Sequence, residues 1–192
     1  ELVDAMLILK ESCQLSEADY RALKMWFTTY ADWLEISKNG RDERGAVNNH
    51  GTAYDMQYTS LLWFTEQNEK LGDYLNRISL GRIETQITPE GLQPLELKRT
   101  RTWSYCTENL EHFFNLGLIA RKVDVDLFIH KSPTGSNLKD ALDYLLPYVC
   151  DSDAWPHEQK TEWQDYFINS VLSIAAGIYD EGKYDEALDC LD

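Results

Sequence analysis

Positive charge is scarce in this 192-residue chain: 18 Lys and Arg stand against 33 Asp and Glu, for a formal charge of −15. That balance excludes general affinity for nucleic acid or for an anionic membrane surface, both of which require clustered surplus cations. Long apolar runs are missing as well. No stretch approaches the roughly 18–20 residues that a helix needs to cross a bilayer, which excludes a membrane-spanning helix. Cysteine is limited to Cys13, Cys106, Cys150 and Cys190, far apart and without the Cys-x-x-Cys spacing of a zinc or redox site. Their ordinary reading is as small buried hydrophobes; a disulfide stays open, because spacing assigns no pair. No His-x-x-x-His pair or carboxylate cluster occurs at ligand spacing, so no metal or other cofactor is expected. The chain starts at Glu1 without a basic segment leading into an apolar one, so a mature product, a trimmed chain or a fragment is expected.

What the chain does have is hydrophobic and aromatic residues along its whole length, including six Trp and eleven Tyr, which argues against disorder. Their period is helical, and no period-two run is bounded by hairpin turns. Ser16 and Asp19 form a capping-box pattern before Leu23, Trp26, Phe27, Tyr30, Trp33 and Leu34, and Asn39-Gly40 is the expected stop. Further helices are predicted at about 52–65, 71–87, 103–120, 138–149, 158–179 and 184–191, with turns at Thr88-Pro89-Glu90-Gly91 and Ser132-Pro133-Thr134-Gly135. The expectation is an all-α chain of about eight helices, stacked as antiparallel hairpins. Gly182-Lys183-Tyr184 onward looks like half of a tetratricopeptide repeat, but no 34-residue period recurs upstream. Two connections, 38–51 and 88–102, are long and chemically loaded, and in a regular stack they emerge at one end.

The first of these ends in Asn48-Asn49-His50-Gly51-Thr52-Ala53-Tyr54-Asp55, which gathers two amides and an imidazole at a helix start that already favours an anion. Taken alone it is an ordinary polar cap. The second contains Glu96-Leu97-Lys98-Arg99-Thr100-Arg101-Thr102-Trp103-Ser104-Tyr105, a local excess of cations that, taken alone, is an ordinary solvated loop. Together they fit elimination on a 4-linked uronic acid. An amide, an imidazole and a guanidinium would neutralise the carboxylate and stabilise the enolate-like intermediate. A tyrosine, its pKa lowered by nearby cations, would remove the C5 proton and protonate the leaving O4. Asn49, His50, Arg99 and Tyr105 supply these parts.

Asn48-Asn49-His50-Gly51-Thr52-x-Tyr54-Asp55-x-Gln57, then Gln93-Pro94-Leu95-Glu96-Leu97-x-Arg99-Thr100 and Tyr105, resembles the alginate lyase domain of helical polysaccharide lyases. The likeness continues through Val125-Asp126-Leu127, Ser132-Pro133-Thr134-Gly135 and Ala141-Leu142-Asp143-Tyr144-Leu145-Leu146-Pro147-Tyr148, covering roughly residues 30–150. The resemblance implies an (α/α) toroid that cleaves alginate or a related polyuronate by β-elimination, periplasmic or secreted. It implies that Asn49 and Arg99 neutralise the substrate carboxylate. His50 would assist, or act as base for one C5 epimer, and Tyr105 would be base and acid for the other. Relatives often carry a small residue where this chain has Arg101 and Trp103, so two arginines compete for the carboxylate; Arg99 lies in the Leu-x-Arg-Thr match. A closed toroid needs more helices than are counted here. Residues 1–192 are therefore expected to be one alginate-lyase-like domain portion, the C-terminal part of a larger catalytic domain whose N-terminal portion is missing.

Asn48, Tyr54, Gln57, Glu96, Arg101 and Trp103 are the candidate substrate-binding residues. Gln57 and Glu96 would either line the cleft or hold His50 and Arg99. Trp103, Tyr54 and Tyr58 would stack on sugar rings, although aromatics at helical spacing are more often core. His112 and His130 are expected to be structural and His157 to lie at the surface. A glycoside hydrolase using Asp55 and Glu96 is the competing enzyme reading, and a helical binding module the non-enzymatic one.

Overall fold

The computed structural model describes residues 2–191. Among these the regular structure is helical: α1 (Leu2–Glu11), α2 (Glu17–Ile36), α3 (Lys38–Arg44), α4 (Asn49–Phe64), α5 (Asn68–Tyr74), α6 (Leu80–Gln86), α7 (Thr102–Ala120), α8 (Leu138–Leu145), α9 (Tyr166–Tyr179) and α10 (Gly182–Leu188). A π-helical turn at Leu75–Ser79 joins α5 to α6, so the helix expected over 71–87 is one interrupted rod. The only strand-like pairing among the described residues is an antiparallel bridge between Arg101 and Gln159.

Ser16 caps α2 by accepting from the Asp19 amide at 3.1 Å, as its pattern predicts, while the Asp19 carboxylate accepts from the Ser16 hydroxyl at 2.6 Å rather than from the Ser16 backbone N–H of a full capping box. The stop is not Asn39-Gly40. Ser37 ends α2 and at once caps α3, its hydroxyl accepting from the Gly40 amide at 3.0 Å. Gly40 lies inside α3 because the backbones of α2 and α3 nearly touch there; a Cβ would collide with the Leu34 carbonyl.

α4 is buried on most sides, by α2, by the α5–α6 rod and by α7. The rod runs antiparallel to α4: Gln86 meets Asn48, Arg82 meets Asp55 and Tyr74 meets Tyr58. α7 then runs parallel to α4, with Glu108 near Asn49 at one end and Lys122 over Trp63 at the other. Parallel packing puts both helix starts, and both loaded connections, at the same end.

The helix expected from Glu158 begins only at Tyr166. The preceding residues form a strap across the start of α7. Thr102 donates to the Glu158 carbonyl at 2.8 Å, Lys160 N–H to the Thr100 carbonyl at 2.8 Å, and the Trp103 indole to the Gln164 carbonyl at 3.0 Å. Trp103 stacks flat on Trp163 at 4.1 Å and edge-on to Trp155 at 5.4 Å. It is wholly buried, so it holds the strap and contacts no sugar. α8 stops at Leu145, and a 3-10 turn takes up Pro147.

The cysteines divide three ways. Cys106 is buried as expected, Cys13 is exposed, and Cys150 and Cys190 form a disulfide that fixes α10, whose Lys183 and Tyr184 also bind Asp143. Closing a loop of 40 residues restricts the unfolded chain. Cys190→Ser, or reduction, is expected to lower unfolding free energy by about 2–4 kcal/mol. Urea titrations with and without reductant measure this, and an unmoved midpoint would remove the disulfide from the stability of this fold.

Candidate functional site

The start of α4 is capped from the other connection. Asn48 is extended and makes no side-chain cap; its carbonyl accepts from the Gln86 amide at 3.2 Å. The Asn49 backbone N–H instead donates to Glu96 Oε1 at 2.8 Å across 47 residues of sequence. The other Glu96 oxygen accepts from Arg99 at 3.2 Å, and the same guanidinium nitrogen donates to Asn49 Oδ1 at 2.8 Å. The Asn49 amide nitrogen donates to Glu108 at 3.0 Å. Burial raises the Glu96 carboxyl above the usual range, opposed by the Asn49 amide and by Arg99.

Arg99 also lies over the Tyr105 ring, its guanidinium carbon 3.3 Å from the ring centroid. Arg101 donates to the Tyr105 hydroxyl at 2.6 Å. Both competing arginines therefore touch the same tyrosine. The fold brings Asn49, Glu96, Arg99, Arg101 and Tyr105 into one cluster. Glu96 is a support buried beneath it, the second of the two roles weighed for it.

His50 turns aside. Its Nδ1 lies 3.1 Å from Glu43 of α3, and the half-exposed ring lines a cavity together with Tyr54 and Gln57. Tyr54 is buried, its hydroxyl has no hydrogen-bond partner among the described residues, and burial pushes that hydroxyl up to about 12. Gln57 is exposed on the next turn and accepts from Tyr30 at 3.4 Å. Tyr58 is core, its hydroxyl donating to Glu35. His157 is half-buried against Tyr144 rather than free at the surface. Glu108 and Glu43 went unforeseen. Glu108 had a signal, lying three residues after Tyr105 on the same helix face; Glu43 had none beyond a charged connection.

Asp55 has no free oxygen for chemistry. At 0% exposure it accepts from Arg82 at 2.8 and 3.0 Å, from Ser79 at 2.8 Å and from Tyr74 at 2.7 Å. Arg82 gives two further donors to the Arg44 and Ala46 carbonyls, pinning the connection that leads to Asn49. Gly51 makes room: a Cβ there would collide with the Arg82 guanidinium and the Ala46 carbonyl. The hydrolase pair of Asp55 and Glu96 is thereby overturned, because both carboxylates are buried and taken up by structural partners, Asp55 by Arg82, Ser79 and Tyr74 and Glu96 by the Asn49 amide and Arg99.

A model of the family described as alginate lyase matches residues 1–155. The chain belongs to the alginate lyase family. The match takes in both loaded connections and ends at Trp155, before the rest of the strap, α9 and α10. A solved structure described as an alginate lyase from Bacteroides ovatus extends the likeness to 97% of the chain, with a TM-score of 0.89 and 30% sequence identity. The chain spans 50% of that protein. No curated protein matches.

Two stability predictions follow from the supports. Arg82→Met would strand a buried carboxylate and is expected to cost about 3–5 kcal/mol, partly restored by adding Asp55→Asn, as read by chemical denaturation. His112 of α7 is pulled from 6.5 down to about 4, first by burial and then by the charge of His50. A depressed folded-state value means that its contribution is complete above pH 6.5 and is lost as pH falls toward 4. His112→Gln is expected to flatten that loss, worth on the order of 3 kcal/mol, in unfolding curves recorded across this window.

Proposed function

We propose that this chain carries the reaction centre of a polysaccharide lyase cleaving 4-linked polyuronates, alginate or a glucuronan, by β-elimination. The observation that supports this most is Arg99: it bonds Asn49 and Glu96 while covering the ring of Tyr105, whose hydroxyl meets Arg101. The substrate carboxylate docks against Arg99 and Asn49, with His50 at the edge. Neutralised there, it accepts the electron pair released when the C5–H bond breaks. Tyr105, its charge balanced by two guanidiniums while it lacks a proton, takes the C5 proton; His50 is the base for the opposite C5 epimer. The pair from C5–H then forms the C4–C5 double bond, the C4–O4 bond breaks, and Tyr105 returns a proton to O4. No water is consumed.

Family membership and the Bacteroides ovatus likeness support the lyase reading. The successive packing of α2, α4, α7 and α9 suits one arc of an (α/α) toroid. That relative's twofold greater length suits a chain that forms part of a larger catalytic domain. The Cys150–Cys190 disulfide suits the oxidising periplasm or exterior.

Incubation with polymannuronate, polyguluronate and glucuronan is expected to yield, with at least one of them, unsaturated uronates that absorb in the ultraviolet. Tyr105→Phe is expected to lower kcat by roughly 10²–10⁴-fold without shifting the unfolding midpoint. Saturated products, or a fully active Tyr105→Phe, would overturn the assignment.

A further inference from the structure

The side-chain amide of Asn49, the first residue of α4, is held at both ends. Its Oδ1 accepts from Arg99 at 2.8 Å, and its Nδ2 donates to Glu108 of α7 at 3.0 Å. The two ends of an amide are nearly equal in size, so packing does not choose between them; hydrogen-bond partners do. Both partners here are strict, because a guanidinium only donates and an ionised carboxylate only accepts. Turned over, the buried amide would set donor against donor at Arg99 and acceptor against acceptor at Glu108. The Arg99 nitrogen that meets Asn49 also reaches Glu96 at 3.2 Å, and the guanidinium carbon lies 3.3 Å from the centroid of the Tyr105 ring. Glu108, Asn49, Arg99 and Tyr105 thus form one chain of contacts that leaves α7, crosses to α4 and returns to α7.

Stability does not account for Glu108. Among the described residues its carboxylate bonds only the neutral Asn49 amide, although Arg101 is close enough to feel its charge. It also works against Glu96, whose carboxyl is raised first by burial and further by the charge of Glu108. A second carboxylate is a costly neighbour for a site that takes an anion, since like charges repel. What Glu108 supplies is orientation. A substrate carboxylate arriving at Arg99 draws the guanidinium's donors away from Asn49, and the acceptor on α7 then keeps the amide from turning over.

We propose that Glu108 is a positioning residue of the reaction centre: as an acceptor fixed on α7 it holds the Asn49 amide with its oxygen toward Arg99, and through that amide it holds the guanidinium over Tyr105. This rests on the lyase reading above and adds to it a residue that acts on the reaction through Asn49 rather than by touching the reacting atoms.

The test compares Glu108→Ala, which removes the acceptor, with Glu108→Gln, which keeps an acceptor oxygen and loses the charge. With the polyuronate that the wild type cleaves, Glu108→Ala is expected to lower kcat about 10- to 100-fold without raising KM, because the misplaced groups act in the transition state while a repelling charge is lost. Glu108→Gln is expected to recover most of that loss. An undiminished kcat in Glu108→Ala, or a Glu108→Gln no better than Glu108→Ala, would overturn the positioning role and leave the lyase reading intact. Should the wild type cleave none of the polyuronates, the lyase reading fails separately, and unfolding midpoints decide for Glu108; they also decide if Glu108→Ala does not fold. Asn49→Asp sets two carboxylates against each other and is expected to lower the midpoint, and adding Glu108→Gln to restore it. A midpoint that stays equally low in the double variant would overturn the proposal.

Discussion

Taking a carboxylate out of water costs several kcal/mol unless donors meet its oxygens, and in Glu96 that demand joins the two halves of the site. One oxygen is met by the first amide of α4 and the other by Arg99, three residues along its own connection. Because Glu96 is nearly inaccessible to water, neither partner can be exchanged for solvent. The start of α4 and the basic connection are therefore locked together. Asn49 receives its orientation from the same arrangement, and so does the guanidinium that covers Tyr105.

Two further supports hold that lock. The Arg82–Asp55 pair reaches back to the Arg44 and Ala46 carbonyls and fixes the approach to α4. On the other side the strap before α9 clamps the start of α7 through Trp103, so that Arg101 and Tyr105 project from a rigid turn. The charged residues around Tyr105 thus divide by burial. Buried carboxylates hold the surrounding structure, while Arg99, Arg101 and Tyr105 stay partly exposed.

A charge of −15 is no obstacle to an anionic substrate under this arrangement. Arg99, Arg101 and the positive ends of two parallel helices converge on one spot, and their field acts over a few ångströms, whereas distant surface carboxylates are screened within about 10 Å at 0.1 M salt. The acidic residues are spread over other helix surfaces, some of them in exposed pairs such as Lys38–Asp42.

The helical period and the Ser16 cap could be read from the chain, because each is a local pattern whose physics acts within a few turns; the two motifs carrying Asn49, Arg99 and Tyr105 were visible too, while their meeting in one cluster belongs to the fold. The all-α class follows from that period, and the shared end of the two connections from alternation of short-turned hairpins. What could not be read depends on partners distant in sequence. Asp55 and Glu96 are chemically alike, and only Arg82, Ser79 and the Asn49 amide determine that both are consumed in support. Trp103 has the composition of a sugar platform and becomes core because the 155–165 strap folds over it. Cys150 and Cys190 find each other across 40 residues. Gly40, by composition a stop, sits inside a helix because two backbones meet there. Sequence by itself determined which groups exist and which helices carry them. Tertiary structure alone decided which of those groups stay accessible, because burial and the pairing it enforces are properties of the packed chain.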